Sequence, residues 1–248
     1  NLFRIEPMGI FAASAGINQS DRNCFLPPVT YGPTSSRTLL YGTHRIYRST
    51  DNGELWTAIS GDLTGGGNAS IRGLVIARSN PDTVYASTND GRVLVSTDGG
   101  AGFSLKLTDI PGWPRVKREI AVDPLNDAVA YLAVAQFGTD QVRMTIDRGD
   151  TWAPIDGDLP DVPVNTVAVR NVGMRNQVFA GTDSGVYMTC NGGRNWCRMG
   201  TNLPHTPVMD LVVDSTNRRL VAGTLGRGVW SILLPGTVNC NENGGGTL

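Results

Sequence analysis

Between residues 164 and 199 the chain reads as four short apolar runs separated by turn residues: VNTVAVRN from Val164, QVFAGTD from Gln177, GVYMTC from Gly185 and NWCRM from Asn195. The runs are rich in β-branched and aromatic residues and are bounded by Gly, Asn and Asp. They carry no helical period of useful length, which predicts four strands joined by tight turns. Apolar positions within a run are nearly continuous rather than strictly alternating, as expected of a sheet packed on both faces.

The pattern repeats along the chain. Similar runs predict units over residues 25–61, 70–112, 116–157, 163–204 and 206–235, and the fifth ends after its third strand at GVWSILL. Between the third and fourth strands of the first four units stands one turn motif: STDNGELW, STDGGAGF, TIDRGDTW and TCNGGRNW. Its fixed positions are Ser49, Asp51, Gly53 and Trp56; then Ser96, Asp98, Gly100 and Phe103; then Thr145, Asp147, Gly149 and Trp152; and finally Thr189, Asn191, Gly193 and Trp196. The acidic position recurs at intervals of 47, 49 and 44 residues. That is the length of one four-stranded propeller blade.

Each part of the motif has a reason that involves no substrate. A short oxygen acceptor takes turn N–H groups, glycine supplies a positive φ, and the ring opens the returning strand. An active site is normally built once, and the fourth copy replaces the carboxylate by the amide of Asn191. Both facts mark these residues as scaffolding.

The pattern S/T-x-D-x-G-x-x-W resembles the Asp-box, or bacterial neuraminidase repeat, of sialidases, xyloglucanase-type glycoside hydrolases, sortilin-type receptors and photosystem assembly factors. The resemblance covers about residues 25–235 and includes LPDVPVNTVAV and GTLGRGVWSI. It implies an all-β propeller of about five four-stranded antiparallel blades. Because the repeat spans unrelated activities, it implies no particular reaction.

The expected organisation is one propeller domain over residues 1–240 and a Gly-rich tail over 241–248. For the missing fourth strand of the last unit, NLFRIEP at the N-terminal side is a candidate, since closure removes exposed sheet edges. A chain forming the C-terminal part of a larger ring is the other expectation.

Composition narrows the function classes. Lys and Arg total 21 against 22 Asp and Glu, and only 17% of the 248 residues are charged. Such a balance carries no electrostatic footprint for nucleic acid. The clearest apolar stretch, AVAYLAVA at 128–135, is far shorter than a membrane-spanning helix. Four cysteines suggest an oxidising compartment, with Cys190 paired to Cys197 across the fourth turn and Cys24 paired to Cys240. Zinc is the alternative, but tight CxxC spacing is missing and there are two histidines. A start at Asn1 is compatible with a removed leader, and the expected location is extracellular or periplasmic.

Catalytic patterns are weak. FRIEP at 3–7 is similar to the Phe-Arg-Ile-Pro motif of sialidases, with Glu6 interrupting it, and strand alternation explains the same residues. Asp140, Asp183 and Asp210 are candidates for paired glycosidase carboxylates, yet no spacing singles them out. No G-x-S-x-G elbow occurs, and TGGGN at 64–68 lacks the Lys of a phosphate loop. No cofactor or catalytic residue is assigned.

Two functions therefore stand: a non-catalytic exported binding or scaffolding propeller with a protein partner, or a glycoside hydrolase or carbohydrate-binding propeller. If the repeated turns project from one end of the blades, the second-to-third strand turns and the inter-blade connections emerge at the other. They carry His44, Arg45, Trp113, Arg115, Phe137, Asp140, Asp183, His205 and Arg227 there. Trp113 in IPGWPR is the expected anchor of a partner, with Arg115 or Arg227 as a charged contact.

Overall fold

A computed structural model of the protein describes residues 2–7, 9–33, 35–108, 110, 119–200 and 202–236. The chain divides into two compact units, Asn1–Asp109 and Ile110–Leu248. Every regular element among the described residues is a strand, and no helix is long and apolar enough to cross a membrane. The fold class is an all-β propeller with five blades, each a meander of antiparallel strands.

In the first unit, β1 (Phe3–Glu6) and β2 (Gly9–Ala12) form a hairpin. The first blade follows with β3 (Val29–Gly32), β4 (Ser35–Gly42), β5 (Ile46–Ser49) and β6 (Thr57–Ala58). The second blade has β7 (Ile71–Ile76), β8 (Val84–Thr88), β9 (Val93–Ser96) and β10 (Ser104–Leu107).

The second unit opens with the third blade, β11 (Ile120–Asp123), β12 (Asn126–Ala133), β13 (Val142–Thr145) and β14 (Ala153–Pro154). The fourth blade comprises β15 (Val164–Val172), β16 (Arg175–Thr182), β17 (Gly185–Thr189) and β18 (Cys197–Arg198). The fifth has three strands among the described residues, β19 (Val208–Asp214), β20 (Arg219–Thr224) and β21 (Val229–Leu233).

Burial explains the apolar runs. Every residue of β8, β9 and β17 is buried, and β17 shows why: Tyr187 packs toward the third blade while Val186 and Met188 pack toward the fifth, so both faces of this middle strand are covered. In the second unit, Tyr131, Val142, Val164, Val178 and Trp196 form one core between the third and fourth blades. Phe179, Met188, Leu211, Leu220 and Ile232 form another between the fourth and fifth. Burying a side chain such as Phe179, at 0% exposure, contributes roughly 1.5–3 kcal/mol. Outer strands β6, β14 and β18 are two residues long, whereas β10, after the same turn, has four.

Two expectations are corrected. β1 pairs with β2, Ile5 opposite Ile10, so FRIEP does not supply the fourth strand of the fifth blade. Nor are the expected disulfides made, since Cys24 and Cys197 both carry thiols. Cys190 is disulfide-bonded, but not to Cys197, and the register of the fourth blade agrees: Cys197 lies opposite Met188, which leaves Cys190 on a diagonal. Diagonal neighbours stand about 7–8 Å apart, beyond the usual reach of a disulfide. Cys24 is buried, and its thiol donates to the carbonyl oxygens of Leu26 at 2.9 Å and Ile71 at 3.7 Å. Cys240 lies outside the described residues.

Candidate functional site

The four repeated turns have one geometry. Ser49 Oγ donates to Asp51 Oδ1 at 2.6 Å and accepts the Gly53 N–H at 2.8 Å. Ser96 does the same with Asp98 at 2.7 Å and Gly100 at 2.8 Å, and Thr145 with Asp147 at 2.7 Å and Gly149 at 2.8 Å. In the fourth copy Thr189 reaches Asn191 at 3.0 Å and Gly193 at 3.1 Å. The acidic or amide oxygen then accepts a later N–H of its own turn: Leu55 at 3.1 Å, Gly102 at 2.9 Å, Thr151 at 2.9 Å or Asn195 at 3.1 Å. All four glycines have φ between 84 and 93. With its lone pairs spent this way, the carboxylate is a turn component, and the amide of Asn191 serves as well.

These bonds hold the carboxyls in their charged form. The Ser49 hydroxyl lowers Asp51, and the Gly102 N–H lowers Asp98. Asp147 is lowered to about 2, first by the Thr151 hydroxyl and then by the Thr151 N–H.

In the first and fourth copies the aromatic side chain bonds to the segment of chain that precedes its blade. Trp56 is buried, and its indole N–H donates to the Ala13 carbonyl at 2.8 Å, just past β2. Trp196, also buried, donates to the Ile155 carbonyl at 2.9 Å, just past β14. Phe103 and Trp152 are half-buried, and the Trp152 indole N–H has no acceptor among the described residues.

At the opposite end of the first unit, a carboxylate that sequence reasoning missed organises the β4–β5 turn. Asp21 accepts the Tyr47 hydroxyl at 2.6 Å and the Thr43 hydroxyl at 3.1 Å, and lies 3.0 Å from Arg45 Nε. His44 is buried, with Nδ1 3.9 Å from Asp21 and Nε2 3.0 Å from the Arg45 guanidinium. Arg45 is thus paired with Asp21, and His44 is packed beside the pair. Nothing local could have flagged this, because Asp21 and Tyr47 are 26 residues apart.

The equivalent end of the second unit divides into engaged and exposed side chains. Asp183 accepts the Asn165 amide at 2.9 Å, and Asp140 bridges to Arg143 at 3.3 Å. Asp161 takes the Gly138 N–H at 2.8 Å and the Gln141 amide at 2.5 Å. Asp156 accepts the N–H groups of Gln141 at 2.9 Å and Val142 at 2.7 Å, while burial, and then the charge of Asp140, raise its carboxyl. Phe137 is 60% exposed, and His205, Asp210 and Arg227 are exposed as well. The turn carrying Arg227 is fixed, since its carbonyl accepts the Trp230 indole N–H at 2.9 Å. Trp113 and Arg115, the expected anchor and its neighbour, lie outside the described residues. Among the described residues, no group of three or more His, Cys, Asp and Glu could hold a metal ion.

No protein-family model matches the chain. A xyloglucanase of Paenibacillus sp is 24% identical over 161 residues, covering 58% of this chain and 16% of that enzyme. Among solved structures, a GH74 enzyme of Niastella koreensis superposes with a TM-score of 0.63 at 17% identity, over 86% of this chain and 36% of that one. YCF48 bound to D1 peptide superposes with a TM-score of 0.55 at 13% identity, over 92% of this chain and 74% of that one. The chain thus spans about a sixth of the length of the xyloglucanase and about a third of the GH74 chain. At these identities the likeness is one of fold, and the chain is similar in architecture both to glycoside hydrolases and to a peptide-bound propeller.

Proposed function

We propose that the chain is a non-catalytic binding or scaffolding propeller of the Asp-box type, exported from the cell, which engages a protein partner through the second-to-third strand turns and inter-blade connections of its second unit. One observation carries this reading: at that end Asp140, Asp156, Asp161 and Asp183 are bonded to protein donors, while Phe137, His205 and Arg227 remain exposed, Phe137 and Arg227 on turns with hydrogen-bonded backbones. An aromatic ring and a guanidinium on a rigid turn are the groups enriched at binding hot spots. The peptide-bound state of YCF48 supports a protein partner by analogy of fold.

A second reading, a glycoside hydrolase or carbohydrate-binding propeller, is favoured by the xyloglucanase likeness and by Asp156, whose raised carboxyl beside Asp140 has the character of a general acid. Against it, both Asp156 oxygens accept backbone N–H groups, which fixes a carboxylate in place rather than aiming a proton at a substrate.

Incubating the protein with xyloglucan, β-glucans and sialosides separates the two. The binding reading expects no released sugar. Hydrolysis that disappears in Asp156→Asn would establish the second reading instead. The exported location is tested by fractionating the native cell and locating the chain in its periplasm or medium.

A further inference from the structure

At the end of the second unit that bears the repeated turns, the first-to-second strand turns of its blades and the segment leaving β21 enclose a cavity of about 510 Å³. Leu125, Val172, Val213 and Leu234 give it aliphatic walls, and Arg170, Arg218 and Asp214 are its charged groups. Neither the binding reading nor the hydrolase reading uses this place.

The two arginines are held differently. Arg170 is half-buried, with Nε donating to Gln177 Oε1 at 2.6 Å and a terminal nitrogen donating to the Pro235 carbonyl at 2.9 Å. Arg218 is exposed, and its carbonyl accepts the Leu234 N–H at 2.7 Å, so its backbone is pinned while the guanidinium keeps its donors. Among the described residues, neither makes an ion pair. Arg218 also sits at φ 52, a conformation in which glycine is the comfortable residue.

The nearby carboxylates do not neutralise them. Asp214 is taken by the N–H groups of Thr216 and Asn217, both at 3.0 Å, and by the Asn217 amide at 2.7 Å. Asp123, behind Leu125, accepts the Leu125 N–H at 2.8 Å and the amides of Asn171 and Asn176 at 3.0 and 2.5 Å. Burial, and then the charge of Arg218, lower the pKa of Arg170. Among the described residues, two guanidiniums thus share one concavity with no anion between them. A bound anion would relieve their repulsion and use the donors left over.

We propose that this cavity binds the C-terminal carboxylate of a peptide ending in an aliphatic residue, with Arg170 and Arg218 sharing the two oxygens. The walls favour a peptide over a sugar acid, because the lining has no aromatic ring among the described residues on which a sugar could stack, whereas an aliphatic side chain matches Leu125, Val172 and Leu234. The site is independent of the Phe137 and Arg227 surface.

Calorimetric titration of the full chain with acetyl-Ala-Val-Leu, as the free acid and as the C-terminal amide, tests the proposal. The acid is expected to bind at least about tenfold more tightly than the amide, the difference a charge-assisted pair supplies. Arg218→Gly is expected to weaken the acid by about tenfold while leaving the melting temperature equal or higher, since glycine suits that φ. The proposal is overturned if the acid does not bind, if the amide or Arg218→Gly binds equally well, or if glucuronate or inorganic phosphate binds more tightly than the peptide acid. Loss of function in Phe137 or Arg227 variants would leave this titration unchanged.

Discussion

Trp196 of the fourth blade donates its indole N–H to the carbonyl of Ile155 at 2.9 Å, in the third blade, and Gly193 of the same turn lies against that carbonyl so closely that a Cβ added there would overlap its oxygen. The fourth turn is therefore an inter-blade joint as well as a hairpin.

Gly193→Ala tests the joint. The φ of 85 alone costs an alanine roughly 1–3 kcal/mol, and the backbone overlap adds to it. Thermal unfolding should show a large loss of stability, whereas Gly192→Ala, with open space around its Cβ position, should suffer the φ penalty only. Equal losses in the two variants would show that the joint contributes nothing.

Asp147→Asn should behave as the fourth copy already does, retaining the turn at neutral pH. The wild-type carboxyl is depressed to about 2, so its contribution is present above the ordinary carboxylate value of about 4 and is lost as pH falls from there toward 2. Melting temperatures measured from pH 6 to 2 should therefore fall less steeply for the variant. Superimposable acid limbs would contradict this.

Cys24 and Cys197 should be recovered as alkylated thiols when the unreduced protein is denatured, labelled and mapped. In the native state Cys24 should label slowly, because it is buried and desolvation raises its thiol pKa, leaving little thiolate at neutral pH. Finding either residue in a disulfide peptide would be incompatible with the described arrangement.

Phe137→Ala and Arg227→Ala should weaken capture of a protein partner while shifting stability by no more than about 0.5 kcal/mol, as exposed substitutions do. His44→Ala should do the reverse, destabilising the first unit through the Asp21 cluster with little effect on partner capture. A partner lost on His44→Ala alone would relocate the surface.

What could be read from the sequence was local. The Ser49–Asp51–Gly53 bonds lie within a five-residue span, so residue type and spacing determine them, and the same holds in the other three turns. Strand positions were legible for a related reason, since runs such as Val186 to Met188 are apolar enough to need cover on both faces. Contacts between distant segments were not legible. Pairing Cys190 with Cys197 required the register, in which Met188 takes the facing position. Asp21, which fixes His44 and Arg45, and Arg170 with Arg218, which share a cavity, sit in stretches with no motif at all.

The hairpin of β1 and β2 also has a consequence for how the first unit opens. Past β2, Ala13 accepts the Trp56 indole N–H, and Leu2 and Ile17 pack on Tyr41, Tyr47 and Trp56. Local opening starts where few buried contacts hold a segment, and here Leu2, Ala13 and Ile17 are the contacts of this segment with the first blade. Trp56, 2% exposed beneath them, is a built-in optical reporter. Detachment of this segment would hydrate the indole and red-shift its emission before the sheet itself melts, which makes early unfolding at this edge visible without any added label.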